Sequence, residues 1–319
     1  FNKHVTSITL AKQKRAFYYT KNNNELRGEN IDRLDCRKNY ENYINDCLNN
    51  KRIIKSARVS IVDMVKEAVS LKNNENNENK ILQDNLNLQW EGSGKGLNSL
   101  NNFIALVDTS GSMSQEYSRP LHAAIGLGLR VAENSKLGKR VLTFSQNPQW
   151  INLENTKTLT EMANKLLIND NYGTNTNFVS AMKLISEACI EKNLDPEIVK
   201  TLVLIVFSDM QIDTADPRST TMHSLIESIF KDAGERSIYR TPYKSPHIIY
   251  WNMCSTNGFP CMSSTGNISM VSGFSPILLN LFCEKGKGAL EDITPYLLLL
   301  KQLKNERYSW VWDAAKNIK

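Results

Sequence analysis

The stretch that decides the fold is FIALVDTSGSM, which runs from Phe103 to Met113. It opens with an apolar run that is typical of a strand buried on both faces of a parallel sheet. Asp108 ends this run, and Ser110 and Ser112 follow it at alternate positions. Ligands of open α/β sheets bind outside the carboxyl ends of the strands. We therefore expect this carboxylate and these two hydroxyls to converge on one ligand.

A second apolar run, TLVLIVFSD, also ends in an aspartate, and the loop before a predicted helix at 178–192 offers a further hydroxyl. Two carboxylates, three hydroxyls and water make a hard, all-oxygen shell, which suits Mg²⁺ and also accepts Mn²⁺ or Ca²⁺. We therefore predict a site for one cation. Its predicted ligands are Asp108, Ser110, Ser112, Thr174 and Asp209.

The segments DTSGS and GTNT, together with the strand-terminal aspartate, resemble the metal-ion-dependent adhesion site (MIDAS) of von Willebrand factor A (vWA) domains. The resemblance implies that the hydroxyl ligands are Ser110, Ser112 and Thr174, with Thr176 as the alternative to Thr174. It also implies a non-enzymatic domain that uses its metal ion to engage a partner.

The resemblance covers roughly Asn101 to the end of the chain, and one departure is Met210, where many vWA domains have glycine. The shape of that loop stays open. At finer grain, DTSGSM, GTNTNFVSAM, FSDMQ and PHIIYWN followed by VSGFS resemble an uncharacterised family of plant, fungal and giant-virus proteins with a C-terminal vWA-like domain. The Asn- and Lys-rich composition fits a giant virus. That family is similar to the Ro ribonucleoprotein group, in which an RNA-binding helical domain precedes a vWA domain.

The pattern of the chain changes near residue 80. Before it, ARVSIVDMVKEAVSL has apolar residues at helical spacing, and KNNENNENK is a polar linker. After it, strands alternate with helices, and RVLTFSQNPQWINL resembles a hairpin. We predict a helical region at 1–80 and a vWA-like domain at 81–319. That domain should be a doubly wound α/β fold whose sheet is mostly parallel, with one antiparallel edge strand from the hairpin. NLNLQW is a candidate edge strand, and a final helix is expected at 292–316.

The cysteine spacing and the lengths of the apolar runs narrow the expected cellular location of the protein. The six cysteines form no CxxC pair, so we expect reduced thiols and no zinc site. No apolar run approaches the roughly 18 residues of a membrane helix, and no secretory signal is visible. We expect no membrane partner and a cytoplasmic location, which means the host cytoplasm or the virion for a viral protein. The chain begins at Phe1 rather than at a methionine, which favours a piece of a longer protein.

Three enzyme classes fit poorly. EGSGKG at 91–96 lacks the spacing of a Walker A nucleotide-binding loop and is typical of a linker. A dehalogenase-type phosphoaspartate enzyme would have a second carboxylate where Ser110 stands. A serine hydrolase would have its nucleophile in a GxSxG motif, and Ser112 is not in one. We therefore expect a binding module, not an enzyme, whose metal ion engages an acidic group of a protein partner.

Two alternatives stay open. Net charge is +6, and residues 1–90 carry 16 Lys and Arg against 11 Asp and Glu. This excess suits a Ro-like RNA-binding protein. The basic residues considered for it are Arg15, Lys51, Arg52, Lys55 and Arg58. The other alternative is a structural virion component in which the metal only stabilises the fold.

Overall fold

The computed structural model describes residues 5–22, 25–56, 58–71, 80–94, 100–135, 137–144, 147–168, 177–211, 222–254, 267–274, 296, 299–300, 303–304 and 308–316. Within these ranges, strands and helices alternate from residue 103 onward, and helices alone precede it. The strands are β1 (Phe103–Asp108), β2 (Arg140–Phe144), β3 (Trp150–Asn152), β4 (Val203–Ser208), β5 (His247–Asn252) and β6 (Ile268–Ser272).

The six strands form one sheet in the order β3-β2-β1-β4-β5-β6. Every neighbouring pair is parallel except β2 and β3, which are antiparallel. Strands β1 and β4 are fully buried, because helices cover both of their faces. The predicted α/β fold, with a mostly parallel sheet and one antiparallel edge strand, is confirmed.

The helices fall into a group before the sheet and a group within it. The first group is α1 (Ser7–Lys12), α2 (Lys14–Phe17), α3 (Ile31–Leu48), α4 (Ile61–Leu71) and α5 (Lys80–Ser93). The second group is α6 (Gln115–Ala132), α7 (Leu159–Ile168), α8 (Phe178–Glu191), α9 (Pro196–Val199), α10 (Met222–Arg236) and α11 (Ser309–Lys316). A 3₁₀ turn, Gly111–Ser114, joins β1 to α6. None of the helices in the described ranges is long and apolar enough to span a membrane.

Alternate residues of β1 face two different cores. Ala105 and Val107 pack with α4, α6 and α7, whereas Ile104 and Leu106 pack with α8 and α10. Helix α6 lies very close to the sheet, because a Cβ placed on Gly128 would stand 2.4 Å from Cγ2 of Val107. The helix that follows the candidate metal residues is therefore pressed directly onto the strand that carries Asp108.

The helical region before residue 80 shares the core of the sheet. Helix α4 packs on α6 and α7, and a Cβ on Gly126 of α6 would stand 2.8 Å from Cγ1 of Ile61. A separate apolar cluster, which includes Leu10, Tyr40 and Ile44, joins α1 to α3 and α5. The N-terminal helices therefore extend the layer that covers one face of the sheet.

Two local expectations come out differently. The segment NLNLQW lies inside α5 rather than in an edge strand, because it places Leu86 and Trp90 on one helical face in the core. Its neighbour EGSGKG continues that helix through Ser93, and residues 95–96 lie outside the described residues. Of the helix expected at 292–316, the structure describes Ser309–Lys316 as helical, and no residue of that segment is buried.

Candidate metal centre

The carboxyl ends of β1, β4 and β5 meet at one edge of the sheet. Asp108 is the last residue of β1, Ser208 is the last residue of β4, and Asp209 follows it. Ser208 is also paired in register with Asn252, which ends β5. Parallel strands with aligned ends bring these side chains together although the first two are 100 positions apart.

Asp108 is fully buried and is held by two hydrogen bonds. The backbone N–H of Ser110 donates to Oδ1 over 2.9 Å, and the hydroxyl of Ser208 donates to Oδ2 over 2.5 Å. The pKa of Asp108 is raised to about 6, mainly by burial and also by the charge of Asp209, against the lowering effect of the hydrogen bonds from Ser110 and Ser208. No lysine or arginine among the described residues forms an ion pair with Asp108. A cation at this edge would favour its ionised form.

The hydroxyls of Ser110 and Ser112 face each other, with their oxygen atoms 3.0 Å apart. The 3₁₀ turn produces this approach, and its residue Met113 is fully buried and fixes the turn to the core. Ligands at about 2.1 Å on neighbouring octahedral positions of Mg²⁺ are separated by about 3.0 Å. The two hydroxyls therefore have the separation that a Mg²⁺ shell requires.

Asp209 is also buried, and its Oδ1 accepts a 3.0 Å hydrogen bond from the N–H of Gln211. The intervening Met210 has a φ of 67°, in the left-handed region, and its N–H donates to Oγ of Ser208 over 3.1 Å. Left-handed backbone favours glycine. The question that Met210 raised is thus answered: the loop adopts the conformation that a glycine would adopt, with methionine in its place.

The structure brings four of the five predicted ligands to this edge, namely Asp108, Ser110, Ser112 and Asp209. Thr174 and its alternative Thr176 lie outside the described residues. Across the described ranges, no three His, Cys, Asp or Glu side chains gather as a metal-binding group. The candidate site contains two carboxylates, and its other donors are hydroxyls, which is the donor set of a hard cation such as Mg²⁺.

Sequence reasoning missed Ser208, and it also missed two neighbours of the site, Cys254 and Glu116. The pKa of the Cys254 thiol is raised to about 11, mainly by burial and also by the negative charges of Asp209, Glu116 and Asp108, so this thiol stays neutral beside the carboxylates. Ser208 had a usable signal, because it is a polar residue that precedes a strand-terminal aspartate.

Trp251, near the end of β5, belongs to the core, since it is fully buried against Phe207 with 5.4 Å between ring centroids.

The rim of the site has an unusual backbone. Glu116, Tyr117 and Ser118 have φ values of 49°, 59° and 59°, and they interrupt the first turn of α6. Left-handed conformations of L-residues cost free energy, and they concentrate at functional sites. Tyr117 is 94% exposed. An exposed tyrosine therefore follows Ser112 by five positions in the sequence.

The basic residues considered for RNA binding are spread over the N-terminal helices and the loop before α4. Arg52 pairs with Asp46 over 3.2 Å, and Nζ of Lys55 donates to the carbonyl oxygen of Val5 over 2.8 Å. A guanidinium N–H of Arg15 donates to the carbonyl oxygen of Lys21. Lys51 and Arg58 are exposed. Several of these cations are therefore engaged within the chain.

Comparison with known proteins identifies a family and a viral relative. The model of a family described as "Domain of unknown function (DUF7788)" matches residues 102–309. The chain is 28% identical over 307 residues to "Uncharacterized protein L728" of Acanthamoeba polyphaga mimivirus, which covers 94% of this chain and 49% of that protein. The chain thus spans about half the length of this curated relative.

Two solved structures are distantly similar. The RO (RSR) protein of Deinococcus radiodurans gives a TM-score of 0.49 at 12% identity, covering 78% of this chain and 48% of that one. Proximal thread matrix protein 1 from the mussel byssus gives a TM-score of 0.38 at 14% identity, covering 60% of this chain and 48% of that one.

Proposed function

We propose that this chain, which belongs to the DUF7788 family, is a metal-dependent binding module that engages an acidic group of a protein partner. The ion is Mg²⁺, or Mn²⁺ or Ca²⁺ in its place, and the vWA-like arrangement at the sheet edge holds it. Its proposed ligands are Asp108, Ser110, Ser112, Thr174 and Asp209.

One observation carries the proposal: the hydroxyl oxygens of Ser110 and Ser112 are 3.0 Å apart beside the buried carboxylate of Asp108. The two hydroxyls are neutral, and burial destabilises the ionised form of the Asp108 carboxylate. A cation beside these groups would stabilise that ionised form. The N–H of Ser110 and the hydroxyl of Ser208 fix the carboxylate, and they leave lone pairs on both of its oxygens for a metal ion or its water.

The chain's residues also leave room for an acidic partner. The carboxylates of Asp108 and Asp209 balance the two charges of a divalent ion and the serines are neutral, so the protein adds no negative excess that would repel a partner carboxylate. When bound, the ion supplies a positive centre whose open position a partner carboxylate can fill. Exposed Tyr117 at the rim offers an aromatic contact of the kind that is enriched at interfaces.

The metal step is tested by calorimetric titration of the chain with Mg²⁺ and Mn²⁺. Ser112→Ala removes a proposed ligand, and Ser114→Ala is its matched control, because Ser114 lies on the same 3₁₀ turn and its side chain is exposed. We expect binding in the parent and in Ser114→Ala, and at least a tenfold loss in Ser112→Ala and Asp108→Ala. A folded parent that binds neither ion would refute the proposal and shift attention to RNA.

The partner step is tested with Mn²⁺ as a reporter, because the relaxation of water protons measures the water bound to that ion. We expect a glutamate-containing peptide to displace this water from the Mn²⁺-loaded chain, and the same peptide with glutamine in place of glutamate to leave it unchanged. Equal effects of the two peptides would contradict an acidic ligand while leaving the metal site intact.

A further inference from the structure

A cavity of about 610 Å³ lies between the N-terminal helices, and none of the candidate metal ligands lines it. Helix α1 and the start of α2 form one wall, and α4 and α5 form the others. Pockets for small ligands commonly measure 300–1,000 Å³. The cavity is therefore large enough for a small organic molecule, and its contents are independent of the metal centre.

The lining combines an apolar floor with several cations. Ile8 supplies exposed apolar surface, and the buried side chains of Met64 and Leu86 also line the cavity. The basic side chains that line the cavity are Lys12, Lys14, Arg15, Arg58 and Lys66. Their acidic counterparts there are Asp63 and Glu67, so positive charge exceeds negative charge by three. This excess favours an anion.

Most of that positive charge is not neutralised within the chain. Lys14 is buried and pairs with Glu67, which removes those two charges from the balance. Lys12, Arg58 and Lys66 form no ion pair with any residue that the structure describes. Arg58 also lines an adjoining cavity of about 530 Å³, so this residue borders both cavities.

Gln89 also lines this cavity, and its side chain carries a buried hydrogen-bond acceptor. Gln89 is fully buried, and its Nε2 donates to the carbonyl oxygens of Ser7 and Lys55 over 3.3 and 3.2 Å. These two bonds fix the orientation of the amide, because a flipped amide would place oxygen against oxygen. Its Oε1 accepts no hydrogen bond from any described residue. A buried acceptor of this kind costs free energy unless a donor meets it.

We infer that this cavity binds an organic phosphate of about the size of a nucleoside monophosphate. The phosphate lies among Lys12, Arg58 and Lys66, the flat apolar body lies against Ile8, and a hydroxyl or amino group donates to Oε1 of Gln89. A phosphate monoester is favoured over a carboxylate, because its charge of about −2 and its three oxygens match several cations at once.

The test is calorimetric titration of the full 319-residue chain with adenosine monophosphate, adenosine and inorganic phosphate. We expect adenosine monophosphate to bind with a dissociation constant below about 1 mM, and the other two probes to bind at least tenfold more weakly. Raising the salt concentration should weaken the binding, because Lys12, Arg58 and Lys66 are solvent-exposed.

Two variants separate a built site from general basicity. Arg58→Glu reverses a charge in the cavity, and Lys51→Glu is its matched control, an equal reversal at an exposed lysine that lines neither cavity. We expect at least a tenfold loss in Arg58→Glu and parent-like binding in Lys51→Glu. Ala11→Trp, which fills the cavity without changing charge, should also abolish binding. The inference is overturned if the parent does not bind adenosine monophosphate, or if the two charge reversals act equally. Circular dichroism checks that each variant is folded.

Discussion

The hydroxyl of Ser208 donates a 2.5 Å hydrogen bond to Oδ2 of Asp108, from the end of one parallel strand to the end of its neighbour. Ser208 in turn accepts a hydrogen bond from the N–H of Met210. A single hydroxyl therefore ties the central carboxylate of the candidate site to the loop that carries Asp209. This relationship makes the position of Asp108 depend on β4 as much as on β1.

Removing this hydroxyl should weaken metal binding through the protonation of Asp108. Ser208→Ala deletes a donor to the ionised carboxylate, so we expect the pKa of Asp108 to rise and the pH at which half of the Mn²⁺ affinity is lost to rise with it. The unfolding free energy should fall by about 1–3 kcal/mol. Ser208→Thr keeps the hydroxyl and should stay close to the parent. An unchanged pH midpoint in Ser208→Ala would show that the hydrogen bond has no role in the site.

The burial of Asp108 should make the metal-free chain less stable as the pH rises. Its folded pKa is about 6 against an ordinary value of 3.8, so between these values the folded state binds more protons than the unfolded state. Stability is then lost as the pH rises through this window, by about 3 kcal/mol in total. The measurement is urea unfolding at pH 4 to 7 without divalent ions, compared between the parent and Asp108→Asn.

In the presence of Mg²⁺ the trend should reverse. Binding requires the ionised carboxylate, so the stabilisation by Mg²⁺ should appear as the pH rises through about 6. Asp108→Asn cannot ionise and should show neither trend. Equal pH profiles for the parent and Asp108→Asn without metal would mean that the Asp108 carboxyl is not strained by burial.

Met210 should be replaceable by glycine but not by valine. Its left-handed φ of 67° suits glycine, while β-branched residues are strained there. We expect Met210→Gly to stay within about 1 kcal/mol of the parent, since relief of strain offsets lost packing and greater chain entropy. Met210→Val should cost about 1–2 kcal/mol more than Met210→Gly. Chemical denaturation measures both, and equal stabilities would argue against a left-handed residue.

The close approach of α6 to β1 should not tolerate a side chain at Gly128. A Cβ there would stand 2.4 Å from Cγ2 of Val107, so Gly128→Ala forces the helix away from the strand that ends in Asp108. We expect a loss of about 1–3 kcal/mol, which outweighs the better helix propensity of alanine. Gly111→Ala is the matched control, because nothing lies within 4 Å of a Cβ at Gly111. Thermal unfolding should separate the two variants clearly.

The contact between α5 and α6 should depend on Arg130. This buried arginine lies 3.4 Å from the ring centroid of Trp90, donates to the carbonyl oxygen of the same residue and pairs with Glu133 over 2.9 Å. Lysine lacks the planar group that stacks on the indole and the extra donors. We expect Arg130→Lys to lower the unfolding free energy by about 2–3 kcal/mol. Arg119→Lys, at an exposed arginine of the same helix, should have little effect.

Local sequence patterns were sufficient to predict a strand or helix where the apolar residues followed one clear periodicity. The apolar runs of β1 and β4 indicated two buried strands, of which β1 ends in Asp108 and β4 is followed directly by Asp209, and the amphipathic run before residue 72 indicated α4. NLNLQW misled because its short alternation of polar and apolar residues fits a strand as well as a helix. The segment forms a helix because α5 packs Trp90 against Arg130 and buries Leu86 in the core that it shares with the sheet.

The sequence by itself determined the fold class and four predicted ligands of the candidate metal site. The strand patterns, the DxSxS motif after β1 and the aspartate after β4 are each recognisable from a short run of neighbouring residues. Only the tertiary structure decided that Ser208 holds Asp108, that Met210 takes the backbone of a glycine, and that Gln89 lines a basic cavity between α1 and α4. The bond from Ser208 to Asp108 and the cavity beside Gln89 depend on residues far apart in the chain, whose separation is fixed by strand register and helix packing. The backbone of Met210 belongs to the turn after β4, where its N–H donates to Ser208.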